Sequence, residues 1–175
     1  MLKSCGSTDT LALTQQAISS AMRMLAIREH SQKQLGQKLL QKGFEREIVN
    51  SCIGYLLEND LLSDTRFCNV FIRSKAEKGL GLQRILSELT QQEISQSIIE
   101  QQLASERIDW QLVCNRVLTK KLFTSNRQFG AREVEPKRVK LSFKQYKKIE
   151  NFLRYRGFTI EEIKSSTKQY IAIEY

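Results

Sequence analysis

Few side chains in this sequence have the type and spacing that chemistry requires. His30 precedes Ser31 and is the only histidine of the chain. A nucleophilic serine needs a base that is itself oriented by a third group. Ser31 followed three residues later by Gln34 has instead the pattern of a helix N-cap. Capping accounts for the serine. Lys78-Gly79-Leu80-Gly81 has the glycines of a phosphate loop. No strand precedes it and no Gly-Lys-Ser/Thr ending follows, so it reads as a tight turn between helices. Asp60 and Asp64 invite a metal reading, but capping of the following helix explains them more simply. The cysteines, Cys5, Cys52, Cys68 and Cys114, have no short metal-ligand spacing. The last three sit among apolar neighbours at helical intervals, as small buried thiols do. No catalytic, metal-ligating or cofactor-binding residue is assigned, and binding is the chemistry to expect.

The charge supports that expectation. Residues 1–106 carry 12 Lys/Arg against 12 Asp/Glu, whereas residues 107–168 carry 16 against 6, and Glu174 brings the net charge to +9. So lopsided a balance points to a polyanionic partner for the last third. Lys137, Arg138 and Lys140 lead into Lys144, Lys147 and Lys148, and then Arg154 and Arg156, with Tyr146 and Tyr155 interleaved. Cations at this density beside aromatics suit phosphate contacts with base stacking, although the two tyrosines would equally serve as core. Arg66, Arg73, Lys75 and Arg84 lie in a segment that is otherwise neutral, where an acidic protein surface is the better partner.

The elements that must carry these residues repeat. Leu35-Gly36-Gln37-Lys38-Leu39 returns in pattern as Ile85-Leu86-Ser87-Glu88-Leu89 and as Ile149-Glu150-Asn151-Phe152-Leu153. Gly43-Phe44, Glu93-Ile94 and Gly157-Phe158 follow at the same interval. The offset of 50 residues between the first two copies is that of helical repeats, which bury a core only by stacking and leave an elongated surface. One proline in 175 residues favours helix nearly throughout. A stripe of Ile18, Ala21, Met22 and Leu25 predicts a first helix from Thr14. Ser31 opens a second that stops at Gly43, and Ile48 to Leu57 form a third. Phe67, Val70 and Phe71 begin the second set, and Leu112, Val113 and Val117 the third. Thr159 with Glu162 makes a capping box for the last helix. The expected organisation is a flexible leader 1–13, three-helix repeats at 14–62, 63–107 and 108–168, the last with a basic insertion after Leu122, and a tail 169–175. No apolar run approaches the roughly 18 residues of a membrane span, and the start lacks a signal-peptide pattern. A cytoplasmic monomer with no membrane partner is expected.

The sequence resembles the RecX family, bacterial regulators of the RecA recombinase. The resemblance lies in Arg28-Glu29-His30-Ser31 with Lys42-Gly43-Phe44, in Leu61-Leu62-Ser63-Asp64-Thr65-Arg66-Phe67, and in Phe71-Ile72-Arg73-Ser74-Lys75 with Lys78-Gly79-Leu80-Gly81. It continues in Arg84-Ile85, Glu88-Leu89 and Phe152-Leu153-Arg154-Tyr155-Arg156-Gly157-Phe158. Glu93 departs from it, standing where the family has glycine; the insertion after Leu122 is long and Tyr170–Tyr175 is extra. The resemblance implies an all-α, curved array of three tandem three-helix repeats lying in the groove of a RecA–DNA filament. It implies suppression there of ATPase, strand exchange and the SOS response. On that reading Arg28, Lys33, Arg66, Arg73, Lys75 and Arg84 face RecA, and Lys137 to Arg156 contact DNA as a secondary partner. The alternative is a helix-turn-helix transcription factor that binds DNA directly.

Overall fold

The computed structural model describes residues 6–125 and 138–174. Among them run nine helices and two short strands. These are α1 (Gly6–Leu25), α2 (Gln32–Gln41), α3 (Arg46–Glu58), α4 (Asp64–Glu77), α5 (Leu82–Gln91), α6 (Gln96–Glu106), α7 (Trp110–Ser125), β1 (Val139–Ser142), α8 (Phe143–Tyr155), α9 (Ile160–Tyr170) and β2 (Ile171–Glu174). The chain divides into two compact units. One reaches to Phe71 and includes Leu89–Gln102; the other comprises Ile72–Glu88 and the residues from Leu103 onward. Helices α1–α3 pack on one another in the first unit, and α7–α9 do so in the second. Helices α4, α5 and α6 each give one end to each unit.

Each unit has its own core. Ala17, Ala21, Leu35, Leu39, Ile48, Val49, Cys52, Leu56 and Leu62 form the first. Val113, Cys114, Val117, Leu118, Leu122, Ile149, Leu153, Phe158, Ile163 and Ile171 form the second. Cys52, Cys68 and Cys114 are free and buried, as their spacing predicts; burial, reinforced by the charge of Asp64, pushes the Cys68 thiol up to about 11. Cys5 lies outside the described residues. The three apolar stripes keep most of their expected members, with one of each left exposed. In α1 the buried line is Ala17 and Ala21 rather than Met22, the small residues letting α3 pack closely. Val70 is 51% exposed while Phe67 is buried and stacks on Phe71 at 5.4 Å. Leu112 is 65% exposed, while Val113 and Val117 are buried as expected.

The repeated stops share one geometry. Gly43, Glu93 and Gly157 all have positive φ, at 89°, 60° and 93°. In each case the next residue donates its backbone N–H to the carbonyl five back: Phe44 to Leu39 (3.3 Å), Ile94 to Leu89 (3.3 Å) and Phe158 to Leu153 (3.2 Å). This is the paired C-terminal closure that usually requires glycine. Glu93 adopts it with a side chain, at a cost of about 1 kcal/mol for left-handed backbone, so the departure from the family pattern leaves the turn unchanged. The starts are capped locally as well. Ser31 Oγ accepts from the Gln34 amide at 3.0 Å. Thr159 and Glu162 exchange both bonds of a capping box.

One expectation needs correction, and the helical fold carries one addition. Helix α1 begins at Gly6, so residues 6–13 are helix rather than loose leader; Thr14 Oγ1 donates to Thr10 O (2.8 Å) inside it. The stripe could not show this, because residues 9–13 bury nothing and Leu11 is 72% exposed. The fold also adds a two-stranded parallel sheet to its helices, pairing Val139 with Ile171 and Leu141 with Ile173. Strand β1 alternates apolar and polar residues and runs directly into α8, where Gln145 Oε1 accepts from the Ser142 amide at 3.0 Å.

Candidate protein and nucleic-acid interfaces

Where α2 begins, the side chains of the first unit converge. Gln32 donates its backbone and side-chain N–H groups to Asp64, both at 2.9 Å, so this aspartate caps α2 while Ser63 Oγ accepts from the Arg66 amide of its own helix at 3.3 Å. Lys33 Nζ reaches Gln91 O at 2.9 Å and Glu93 at 2.8 Å, and Ser31 Oγ donates to Gln92. Arg66 pairs with Asp60 (2.8 Å) and Glu29 (3.1 Å). Arg28 is exposed and donates to Glu29 O (2.9 Å) and Gln34 (3.2 Å). The buried His30 touches Arg28 O at 2.9 Å through Nδ1 and Lys38 Nζ at 3.1 Å through Nε2. A carbonyl only accepts and an ammonium only donates, so Nδ1 carries the proton and the ring is neutral. Burial, above all, holds the His30 pKa below its ordinary value, with Arg28 and Lys38 adding to it and the Arg28 carbonyl opposing. His30 is thus a structural link at the start of α2, occupied on both nitrogens.

In the second unit the same pairing holds. Lys75 and Arg84 (2.9 Å) both bind Glu88, and Arg73 approaches Glu106 at 3.7 Å. Burial pushes the Glu88 carboxyl up, but hydrogen bonds from Lys75 and Arg84 outweigh it and hold the group below the usual carboxylate range. Five of the six cations expected to face a protein partner therefore already hold a carboxylate of this chain. The sequence could not show this, since only the Arg84–Glu88 pair has helical spacing.

Among the expected DNA contacts, Lys144, Lys148 and Arg154 are exposed on α8. With Arg138, exposed beside β1, they make no hydrogen bond or ion pair among the described residues. Lys140 is exposed on β1. Lys147 pairs with Glu150 (2.7 Å) and lies over the Phe143 ring at 5.7 Å. Tyr146 packs at the edge of the second core, while Tyr155 is 76% exposed beneath Arg84. Lys137 lies outside the described residues. Arg156 departs from the expectation: its Nη1 donates to Lys78 O and Gly79 O, both at 3.0 Å, and its guanidinium lies 4.9 Å over the Phe152 ring. It closes the end of α4 instead of standing free.

Sequence reasoning passed over a group of cations beside that arginine. Lys78, Arg116, Lys120 and Lys121 line a cleft of about 490 Å³ together with Glu77, Gly79, Val117, Phe152 and Arg156. Arg116 Nη2 donates to Ala76 O (2.8 Å) and Glu77 O (3.3 Å), and Lys121 Nζ lies 5.2 Å from the Phe152 ring. The available signal was the spacing of Arg116 and Lys120, one turn apart on α7.

The fold and these surfaces define a helical-repeat protein whose charged groups are spread over helix faces and a shallow cleft. Comparison with known proteins is specific. The family descriptions "RecX, first three-helix domain" and "RecX, second three-helix domain" match residues 17–56 and 63–103. The chain is 32% identical over 155 residues to "Regulatory protein RecX" of Halorhodospira halophila, covering 89% of this chain and 88% of that one. It is 34% identical over 145 residues to the protein of the same description from Vibrio vulnificus, covering 83% and 86%. The crystal structure of RecX from Lactobacillus salivarius shares the fold with a TM-score of 0.67 at 17% identity, covering 91% of this chain and 97% of that chain. The chain belongs to the RecX family of regulatory proteins. No described helix is long and apolar enough to cross a membrane.

Proposed function

We propose that this chain regulates RecA. It binds the recombinase, as monomer or along the groove of the RecA–DNA filament, and inhibits its ATPase, strand-exchange and SOS co-protease activities without itself catalysing a reaction. It acts as a cytoplasmic monomer of three helical repeats, 14–62, 63–107 and 108–168, with DNA backbone as a second contact. The observation that carries this reading is identity of about one third, over nearly the whole length, to proteins described as regulatory RecX. The cations left unpaired on α8 supply the DNA contact, and their strength would fall steeply with salt.

The transcription-factor alternative fits less well. Of the third helices of the repeats, α6 opens on Gln96 and Ser97, but α3 and α9 open on carboxylates: Glu45 is the N-cap of α3 with Glu47 in its first turn, and Glu161 and Glu162 stand in the first turn of α9. Carboxylates leading a helix into a groove meet phosphate repulsion, whereas base reading wants Asn, Gln or Arg there. The deciding experiment measures the single-strand-dependent ATPase of RecA with and without the chain. The reading expects the rate to fall. It also expects tighter binding to RecA pre-assembled on single-stranded DNA than to naked duplex at about 0.15 M salt. An unchanged ATPase with equal affinity for filament and duplex favours direct DNA binding.

A further inference from the structure

The cleft in the second unit is built with more care than a solvated basic face requires. Its floor is the turn after α4, where Gly79 has φ of +75° and a Cβ would come within 2.5 Å of Val117 Cγ2 and 3.2 Å of Arg156 Nη1. Only glycine lets α7 and α8 close on that turn. Arg116 and Arg156 are each held by two carbonyls of the α4 terminus, so their guanidiniums are fixed before any ligand arrives. Fixed donors lose little entropy on binding. Lys78, Lys120 and Lys121 are exposed around them, with Glu77 the one carboxylate among the described lining residues. Phe152 sits between Lys121 and Arg156. Taking 100° per residue along α8, Phe152 and Arg156 flank the face that presents Lys144 and Lys148, so the cleft adjoins the exposed cations.

We propose that this cleft, formed by the α4 terminus, α7 and the flank of α8, is a phosphate-binding subsite that grips the backbone of single-stranded nucleic acid. The proposal deepens the DNA contact described above and rests on it. A strand presents one charge per nucleotide in series, matching cations that continue from the α8 face into the cleft, and aromatic rings among cations are the mark of single-strand channels. A duplex about two grooves wide has no way into a cavity of this size, and its place is the open α8 face.

The test uses the full chain with a fluorescent oligothymidylate strand, a hairpin duplex, ATP and a poly-glutamate peptide, titrated across salt. The K78A/K120A variant is compared with K144A/K148A, with helical circular dichroism and melting as checks on folding. Loss of two phosphate contacts should flatten the single-strand salt slope of K78A/K120A by about 1.4 and weaken binding about tenfold near 0.15 M salt, leaving duplex affinity within twofold. K144A/K148A should weaken both ligands. If K144A/K148A alone weakens the strand, the α8 face stands and the cleft proposal falls. If neither pair changes binding, both fall. Competition by ATP or poly-glutamate as effective as by unlabelled strand at equal charge also overturns it, since the cleft would then be a general anion site. RecA is absent throughout, so these outcomes are independent of whether the chain inhibits RecA.

Discussion

Two of the places where the described helices meet, one in each unit, are made of different material. In the first unit the start of α2 meets the end of α5 through side chains: Lys33 to Gln91 O and Glu93, Ser31 to Gln92. In the second unit the start of α5 meets the end of α8 through backbone: Gly81 donates to Arg156 O at 2.9 Å and Gln83 to Gly157 O at 3.1 Å. Here the free N–H groups of one helix meet the free carbonyls of another, each answering what the other lacks. The approach is so close that a Cβ on Gly81 would lie 2.4 Å from Gly157 O, and one on Gly157 would lie 2.4 Å from Arg84 N. Side-chain joints tolerate substitution because long side chains relocate, and exposed ion pairs contribute little. A backbone joint has no slack.

That contrast predicts a graded set of effects. The largest effects are expected where a new Cβ meets backbone that cannot move aside: Gly81→Ala should lose about 3 kcal/mol of stability by urea denaturation. Gly157→Ala adds the penalty of positive φ to a similar clash and should be no milder. Gly43→Ala is the control, with φ of +89° and nothing within 4 Å of the new Cβ; it should cost only about 1 kcal/mol. If Gly81→Ala is as mild as Gly43→Ala, the backbone joint is looser than described.

Arg156→Ala comes next. It strips the two carbonyls at the end of α4 of a charged donor and should cost about 1.5–3 kcal/mol, with Arg156→Lys recovering only part because a point charge replaces a fork. Equal stability of all three proteins would show that the arginine does not hold that turn.

At the side-chain joint, Lys33→Ala should cost no more than about 1 kcal/mol. Glu93→Gly loses the same ion pair but relieves left-handed backbone worth about 1 kcal/mol, so its melting point should match or exceed that of the parent. A clear loss of stability in Glu93→Gly would mean that the ion pair, and not the turn, governs this joint.

The smallest effect concerns His30. Its folded pKa is depressed relative to about 6.5 in the unfolded chain, so the unfolded state takes up the proton first. Stability is therefore full above pH 6.5 and declines as pH falls below it toward the folded value. Melting between pH 7.5 and 5.5 should show that slope, and His30→Gln should remove it. A parent slope identical to that of the variant would place the titration elsewhere.

How far the sequence could be read follows from the range of each interaction. Ser31 and the Thr159–Glu162 box, the stops at Gly43 and Gly157, and the buried thiols depend on residues within one or two helical turns, and family membership followed from such patterns. The edge of the buried stripe along α1 and α7 did not, because it is set by whichever helix packs against it. Ala21 and Val113 are buried as their spacing predicts, while Met22 and Leu112, beside them on the same helices, are exposed. The charged residues divide the same way. Their types and numbers marked a basic last third, yet which cations stay open was decided by chain segments far apart in sequence. Arg116 meets Ala76 across 40 residues and Arg156 meets Lys78 across 78. The β1–β2 pair likewise needs Ile171 brought back to Val139. Caps and stops are local chemistry, which a linear sequence records directly. The arginine clamp, the spent ion pairs and the glycine joint exist only where distant segments return to each other, and only the folded chain brings those partners within hydrogen-bond reach.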